Sequence, residues 1–188
     1  MRPHIHPALF GLLACSGLRI SEALHLNRDE VDLTSGRLMI RETKFCKSRI
    51  VPLHPTALLA LNDLTHHRDR IVPKPQCDRF WINDYGRELP YSTVRCVFRK
   101  LCDQLRLTMS GKKPRLHDFR HTFACRRIES WSEAGIDLSH AVASLSTYLG
   151  HVKVTDTYWY LTATPELLAR AANRFVQFAD RTNEEESP

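Results

Sequence analysis

Apolar positions along the chain recur mostly at three- and four-residue intervals, and that period predicts a largely helical protein. Pro7 to Cys15 reads as an apolar helix, with proline tolerated in a first turn, and Ser16-Gly17 breaks it. Ile20 to Leu26 starts a second helix. Thr56 to Arg70 reads as a third, with Leu58, Leu59, Leu61 and Leu64 on or near one face. Tyr91 to Leu107, His117 to Trp131 and Asp137 to Leu149 follow as helices, and Thr155 to Tyr160 begins a short one. Pro165 opens a last helix whose Leu168, Ala171, Phe175 and Phe178 form a stripe at helical spacing. Two short apolar runs, Arg37–Arg41 and Arg49–Leu53, are joined by a polar, basic connection and predict a β-hairpin. Asp29 to Ser35 is turn-rich, Val72 to Asp78 and Thr108 to Pro114 are loops, and Arg79 to Ile82 is a short strand or extended piece. The expected fold class is mostly α with a small antiparallel β-sheet (α+β). One domain is expected over residues 1–182, followed by an acidic tail over 183–188 that should fray.

Composition narrows the class. The 188 residues are 43% apolar and 26% charged, which suits a folded globular domain and excludes wholesale disorder. The net charge of +6 is unevenly spread. Between Arg95 and Arg127 stand ten basic residues and two acidic ones, a local charge of +8, while the rest of the chain carries −2. A positive field of that kind suits a polyanion, nucleic acid first, although a solvated basic face would look the same. Six cysteines without a C-x-x-C pair read as reduced intracellular thiols, mostly small core residues. The ten histidines include no H-E-x-x-H signature, and no metal is expected. Ala8–Leu13 followed by Ala14-Cys15 imitates a short signal peptide, but the apolar pattern runs on into Gly17-Leu18-Arg19-Ile20 without a polar mature start. The longest apolar run falls well short of the ~20 residues of a membrane helix, so a cytoplasmic protein is expected.

Four pieces carry candidate chemistry: Gly17-Leu18-Arg19-Ile20-Ser21-Glu22; Lys44 within Thr43-Lys44-Phe45-Cys46-Lys47; Leu116-His117-Asp118-Phe119-Arg120-His121; and Leu149-Gly150-His151 with Tyr160 nine residues beyond the histidine. Each is modest alone. In this order and spacing the chain resembles the catalytic domain of the tyrosine recombinases, the phage-integrase family, over nearly its whole length. The Tyr158-Trp159-Tyr160-Leu161-Thr162 segment is similar to that of an integrase branch.

The residue types suit breaking a phosphodiester without a metal. Positive groups must be fixed where charge develops on the non-bridging oxygens, and planar guanidinium forks grip those oxygens at two points. Arg19 and Arg120 are the candidates for this clamp. They could instead be surface ion-pair residues, but Arg19 lies in an otherwise apolar helix junction where a bare arginine is costly. Tyr160 is the candidate nucleophile. A phenol with an ordinary pKa near 10 needs a proton acceptor or an electropositive site. The resemblance implies His117 as general base, His151 as a hydrogen-bond donor to the scissile phosphate, and Lys44 as general acid for the leaving 5′ oxygen. Lys47 is its competitor and a phosphate contact. Arg95, Arg99, Lys112, Lys113 and Arg115 are read as DNA-positioning cations. Tyr158 would point to the opposite side of a helix from Tyr160. Burial is the reading for Tyr148, structural support that for His121, and a helix N-terminal role that for Asp118.

The resemblance implies transesterification through a 3′-phosphotyrosyl bond on double-stranded DNA, with no cofactor, metal or ATP. It implies a homotetramer on paired DNA sites and a monomer in isolation. Relatives carry an N-terminal helical domain ahead of the first helix here, and the chain is read as lacking it. A relaxing type IB topoisomerase and a catalytically idle DNA-binding remnant are the alternatives. The six-residue set Arg19, Lys44, His117, Arg120, His151 and Tyr160 speaks against the remnant.

Overall fold

The computed structural model describes residues 2–41, 48–108, 111–153 and 155–162. The chain divides into two compact units, Met1–Phe123 and Ala124–Pro188.

The first unit opens with α1 (Arg2–Ser16), which buries Ile5, Leu9, Leu12 and Leu13. This helix packs against α3 (Pro55–Ile71). It starts five residues earlier than the pattern predicts, so Pro7 sits in its second turn and removes one intrahelical hydrogen bond. Burial of Ile5 and Leu9 on either side holds the turn together. The apolar stripe of α3 is Ala57, Leu61 and Leu64, continued by a buried Arg68; Leu59 points outward and is exposed, against expectation. Pro55 stands at the first position of α3, where its missing N–H is harmless.

Between these helices lie α2 (Ile20–Leu24), a single 3-10 turn at Arg28–Glu30 and a sheet of three strands. The sheet contains β1 (Val31–Asp32), β2 (Arg37–Ile40) and β3 (Arg49–Pro52), antiparallel in the order β1-β2-β3. The predicted hairpin is β2 and β3; β1 forms inside the stretch read as turns. Pairing Val31 with Leu38, and Leu38 with Val51, aligns one buried row across all three strands.

Residues 79–82 form isolated bridges, Asn27 with Arg79 and Ile82 with Glu88, in place of a regular strand. Side-chain burial organises them, with Phe80, Trp81 and Ile82 all in the core. The Arg68 guanidinium donates to the Phe80 carbonyl at 2.8 Å and lies over the Phe80 ring. α4 (Tyr91–Gln104) ends three residues before Leu107 because Arg106 takes a left-handed φ of 52° that closes the helix. Among the five described cysteines Cys102 alone is fully buried and Cys96 is exposed, so the core reading holds for fewer of them than expected.

Helix α5 (Asp118–Glu133) begins in the first unit, where Phe119 joins Phe10 and Phe98 in a three-ring cluster with centroids 5.5–5.9 Å apart. It ends in the second unit with α6 (Leu138–Leu149) and α7 (Thr155–Thr162), which pack together. That unit buries Ala124, Ile128, Val142, Leu145, Leu149, Thr157 and Tyr160. The expected helix from Pro165 and the 183–188 tail lie outside the described residues. No described helix is long and apolar enough to cross a membrane.

Candidate active site

Gly17 ends α1. Its φ of 62° is left-handed and its N–H donates to the Leu13 carbonyl at 3.0 Å, the single-bond glycine cap. A side chain at this position would also fall on the Phe123 ring. The reversal gives Arg19 an extended backbone at the start of α2. There the Glu22 carboxylate accepts from the Arg19 backbone N–H and from Arg19 Nη1, both at 2.9 Å. The same carboxylate receives Arg49 from β3, Nη1 to Oε1 at 3.1 Å and Nη2 to Oε2 at 2.9 Å. Burial pushes the Glu22 carboxyl up, but the hydrogen bonds from Arg49 and the Arg19 backbone, with both guanidinium charges, outweigh it and hold the pKa below the usual value.

Arg120 reaches the same junction from α5. It is 1% exposed, and its Nη1 donates to the Gly17 carbonyl at 2.9 Å. His117 stands just before α5 and its carbonyl accepts from the Arg120 backbone N–H. The His117 side is open to solvent, yet desolvation is the largest influence on its ring, followed by the charge of Arg120. Arg115 and Arg19 act in the same sense and Asp118 opposes them; the net pKa lies below the ordinary histidine value. The ring is therefore mostly neutral near pH 7 and able to accept a proton. Asp118 sits in the first turn of α5 and accepts from the Arg115 backbone N–H at 2.7 Å, which is an end-of-helix role.

His117 opens onto a groove of about 410 Å³. Arg95 and Arg99, one turn apart on α4, line it with Lys113 and Arg115, and Tyr91 and Phe98 give it apolar walls. Four of the predicted DNA-positioning cations thus share one groove. Lys113 also pairs with Asp103, and Arg115 with Asp118. Lys112 is exposed. His117 and His121 stand four apart, a spacing that metal-binding helices use, but no group of three His, Cys, Asp or Glu among the described residues is placed to hold a metal.

In the second unit α6 ends at Gly150, with φ of 68°. The Gly150 N–H donates to Thr147 and the His151 N–H to Ser146, both at 3.0 Å, the two bonds of a Schellman cap. This cap delivers His151 to α7. Its Nδ1 lies 2.7 Å from the hydroxyl of the fully buried Thr157, which fixes the ring orientation. The Tyr160 ring lies nearly parallel to it, 18° between planes and 6.1 Å between centroids. Tyr160 is 6% exposed while Tyr158 is 47% exposed, so the two tyrosines face opposite ways on α7. Tyr148 and His121 are half-buried.

The structure therefore brings Arg19, His117 and Arg120 together in the first unit, and His151 and Tyr160 together in the second. Lys44 and Lys47 lie outside the described residues. Sequence reading gave no site role to Glu22, Arg49 or Thr157. Glu22, three residues after Arg19 at a helix start, carried half of a capping-box signal, the carboxylate that reaches back to the first N–H. Arg49 and Thr157 carried none.

Residues 3–166 match the phage integrase family, and the chain belongs to that family. It is 41% identical over 166 residues to the integrase/recombinase y4rE of Sinorhizobium fredii, covering 88% of this chain and 53% of that protein. It is 33% identical over 152 residues to the tyrosine recombinase XerC of Chlamydia caviae, covering 81% of this chain and 45% of the relative. The chain thus spans about half the length of these curated relatives. Among solved structures it shares its fold with XerA recombinase at a TM-score of 0.73 and 24% identity, over 93% of this chain and 57% of that one. XerH site-specific recombinase, solved on its difH DNA, aligns at 0.69 and 21% identity, over 89% of this chain and 44% of that one.

Proposed function

We propose that the chain carries the catalytic domain, over residues 1–182, of a site-specific DNA recombinase that cuts and rejoins strands through Tyr160. The observation that carries this reading is the convergence of Arg19, Arg120 and His117 at one helix junction, beside a groove lined by four further cations. A scissile phosphate is the ligand such a junction suits. Arg19 and Arg120 grip its non-bridging oxygens, and their charge grows in value as negative charge accumulates in the transition state.

In the proposed reaction the Tyr160 oxygen attacks phosphorus while His117 takes the phenolic proton. His151 hydrogen-bonds the phosphate. The bond to the 5′ oxygen breaks, and Lys44 supplies the proton that makes it a 5′-hydroxyl. Lys47 contacts a phosphate, as do Arg95, Arg99, Lys112, Lys113 and Arg115 along the duplex. A 5′-hydroxyl from a partner strand reverses these steps, so the phosphodiester energy is conserved and neither metal nor ATP is needed. A homotetramer on paired sites, acting in the cytoplasm, completes the reading.

The test is covalent trapping. The protein is incubated with nicked duplexes from which the short 5′-hydroxyl strand diffuses away, then denatured, and any DNA-linked peptide is mapped. A link at Tyr160 that is lost in Tyr160→Phe is the expected result. A link at Tyr158 would overturn the residue assignment. No link in the unmodified chain would overturn catalysis by it and favour a DNA-binding remnant.

A further inference from the structure

Glu22 poses a problem for the clamp. A carboxylate hydrogen-bonded to Arg19 at 2.9 Å makes Arg19 and Glu22 a neutral pair, and a neutral pair is a poor host for a phosphate. Arg49 resolves it. Each Glu22 oxygen receives one donor from Arg19 and one from Arg49, so two guanidiniums share one carboxylate and the cluster keeps one net positive charge.

The placement of Arg49 favours a role in charge over one in stability. Its register partner on β2 is Ile40, and it stands two residues before Val51, on the face that otherwise buries Leu38, Ile40 and Val51. An apolar side chain would serve that face better, since buried ion pairs are weak stabilisers. The guanidinium Nε is moreover buried with no hydrogen-bond partner among the described residues.

We propose that Arg49 is a positioning residue for the Arg19 phosphate clamp, its positive charge, held against Glu22, balancing that carboxylate so that Arg19 keeps the net charge a phosphodiester requires. The proposal rests on the recombinase reading for its substrate, but its test needs no cleavage. The 188-residue chain, labelled at arginine nitrogen, is titrated with inorganic phosphate and followed by NMR at the Arg19 Nε–H. Arg49→Gln should weaken phosphate binding there by about tenfold or more, the effect of one missing charge at close range. Arg49→Lys loses the fork but keeps the positive charge beside Glu22, and since the charge is what balances the carboxylate it should stay within about threefold of the unmodified protein.

The decisive variant is the double one, Glu22→Gln with Arg49→Gln. Removing the carboxylate as well should restore the affinity that Arg49→Gln loses, a rescue that a merely structural role does not produce. Unchanged binding in Arg49→Gln, or a double variant no better than Arg49→Gln alone, overturns the proposal. If Arg49→Gln does not melt cooperatively, Arg49→Lys decides: a folded Arg49→Lys that has lost binding by about tenfold overturns it. The absence of any phosphate response at Arg19 in the unmodified chain also overturns it, whereas the tyrosine-adduct experiment stands or falls separately.

Discussion

Gly17 and Gly150 both end a helix in the left-handed conformation, and each hands the chain on to a candidate site residue. Arg19 follows two positions after the first, and His151 directly follows the second. From there the two regions diverge. The first unit fixes its residues by charge: Glu22 is saturated by two guanidiniums, and Arg120 is locked to a backbone carbonyl. The second unit fixes its residues by ring packing and a hydroxyl: Tyr160 lies alongside the His151 ring and the Thr157 hydroxyl stands 2.7 Å from its Nδ1. A guanidinium cannot lose its charge on burial and must find acceptors, while an imidazole and a phenol can be buried mostly as rings. Site and stability should therefore be more tightly coupled in the first unit than in the second.

The strongest way to break that comparison is to remove one polar group from each unit. Arg120→Ala should destabilise the protein by about 3 kcal/mol or more, because the buried Gly17 carbonyl loses a charged donor and a cavity is left. Tyr160→Phe should abolish the DNA adduct and, since it removes one hydroxyl and keeps the ring, cost about 1 kcal/mol at most. Equal stability losses in the two variants would erase the distinction.

The glycines come next. Gly17→Ala meets both the left-handed backbone and the Phe123 ring, and should cost about 2–3 kcal/mol. Gly135 in the second unit has a φ of 70° and open space where a side chain would stand, so Gly135→Ala meets the backbone term alone and should cost about 1 kcal/mol. Chemical denaturation of both would show whether the close approach at Gly17 matters as stated.

Acid should sharpen the contrast further. The folded Glu22 pKa is depressed, so its contribution is present in full above the ordinary Glu value near 4.3 and is lost as pH falls through the folded value. Arg49→Gln removes the strongest lowering influence and should move that loss to higher pH. Urea midpoints taken from about pH 7 down to about pH 3 measure it. A loss at unchanged pH in Arg49→Gln would refute the account of Glu22. Thr157→Val removes the hydroxyl beside His151 Nδ1 and should likewise cost about 1 kcal/mol in the same assay.

Much of this was legible in the sequence because it is local. Helical periods placed α3 to α6 to within a few residues, and the two glycines marked helix ends since little else tolerates that φ. Helix geometry separated Tyr158 from Tyr160 before any coordinates. Other features were hidden because they depend on distant partners. β1 is two residues long and exists through its pairing with β2, so the stretch around it reads as turns. Helical spacing put Leu59 on or near the apolar face, and the packing of α3 left it exposed.

The sequence by itself determined the helices, their glycine ends and the supply of guanidinium, imidazole and phenol groups, since each is written within a few neighbouring residues. Tertiary structure alone decided that Arg49 shares Glu22 with Arg19 from 27 residues away, and that Arg120 meets the Gly17 carbonyl across 103. A buried charge is stable only beside the group that balances it, and which group that is depends on strand register and helix packing.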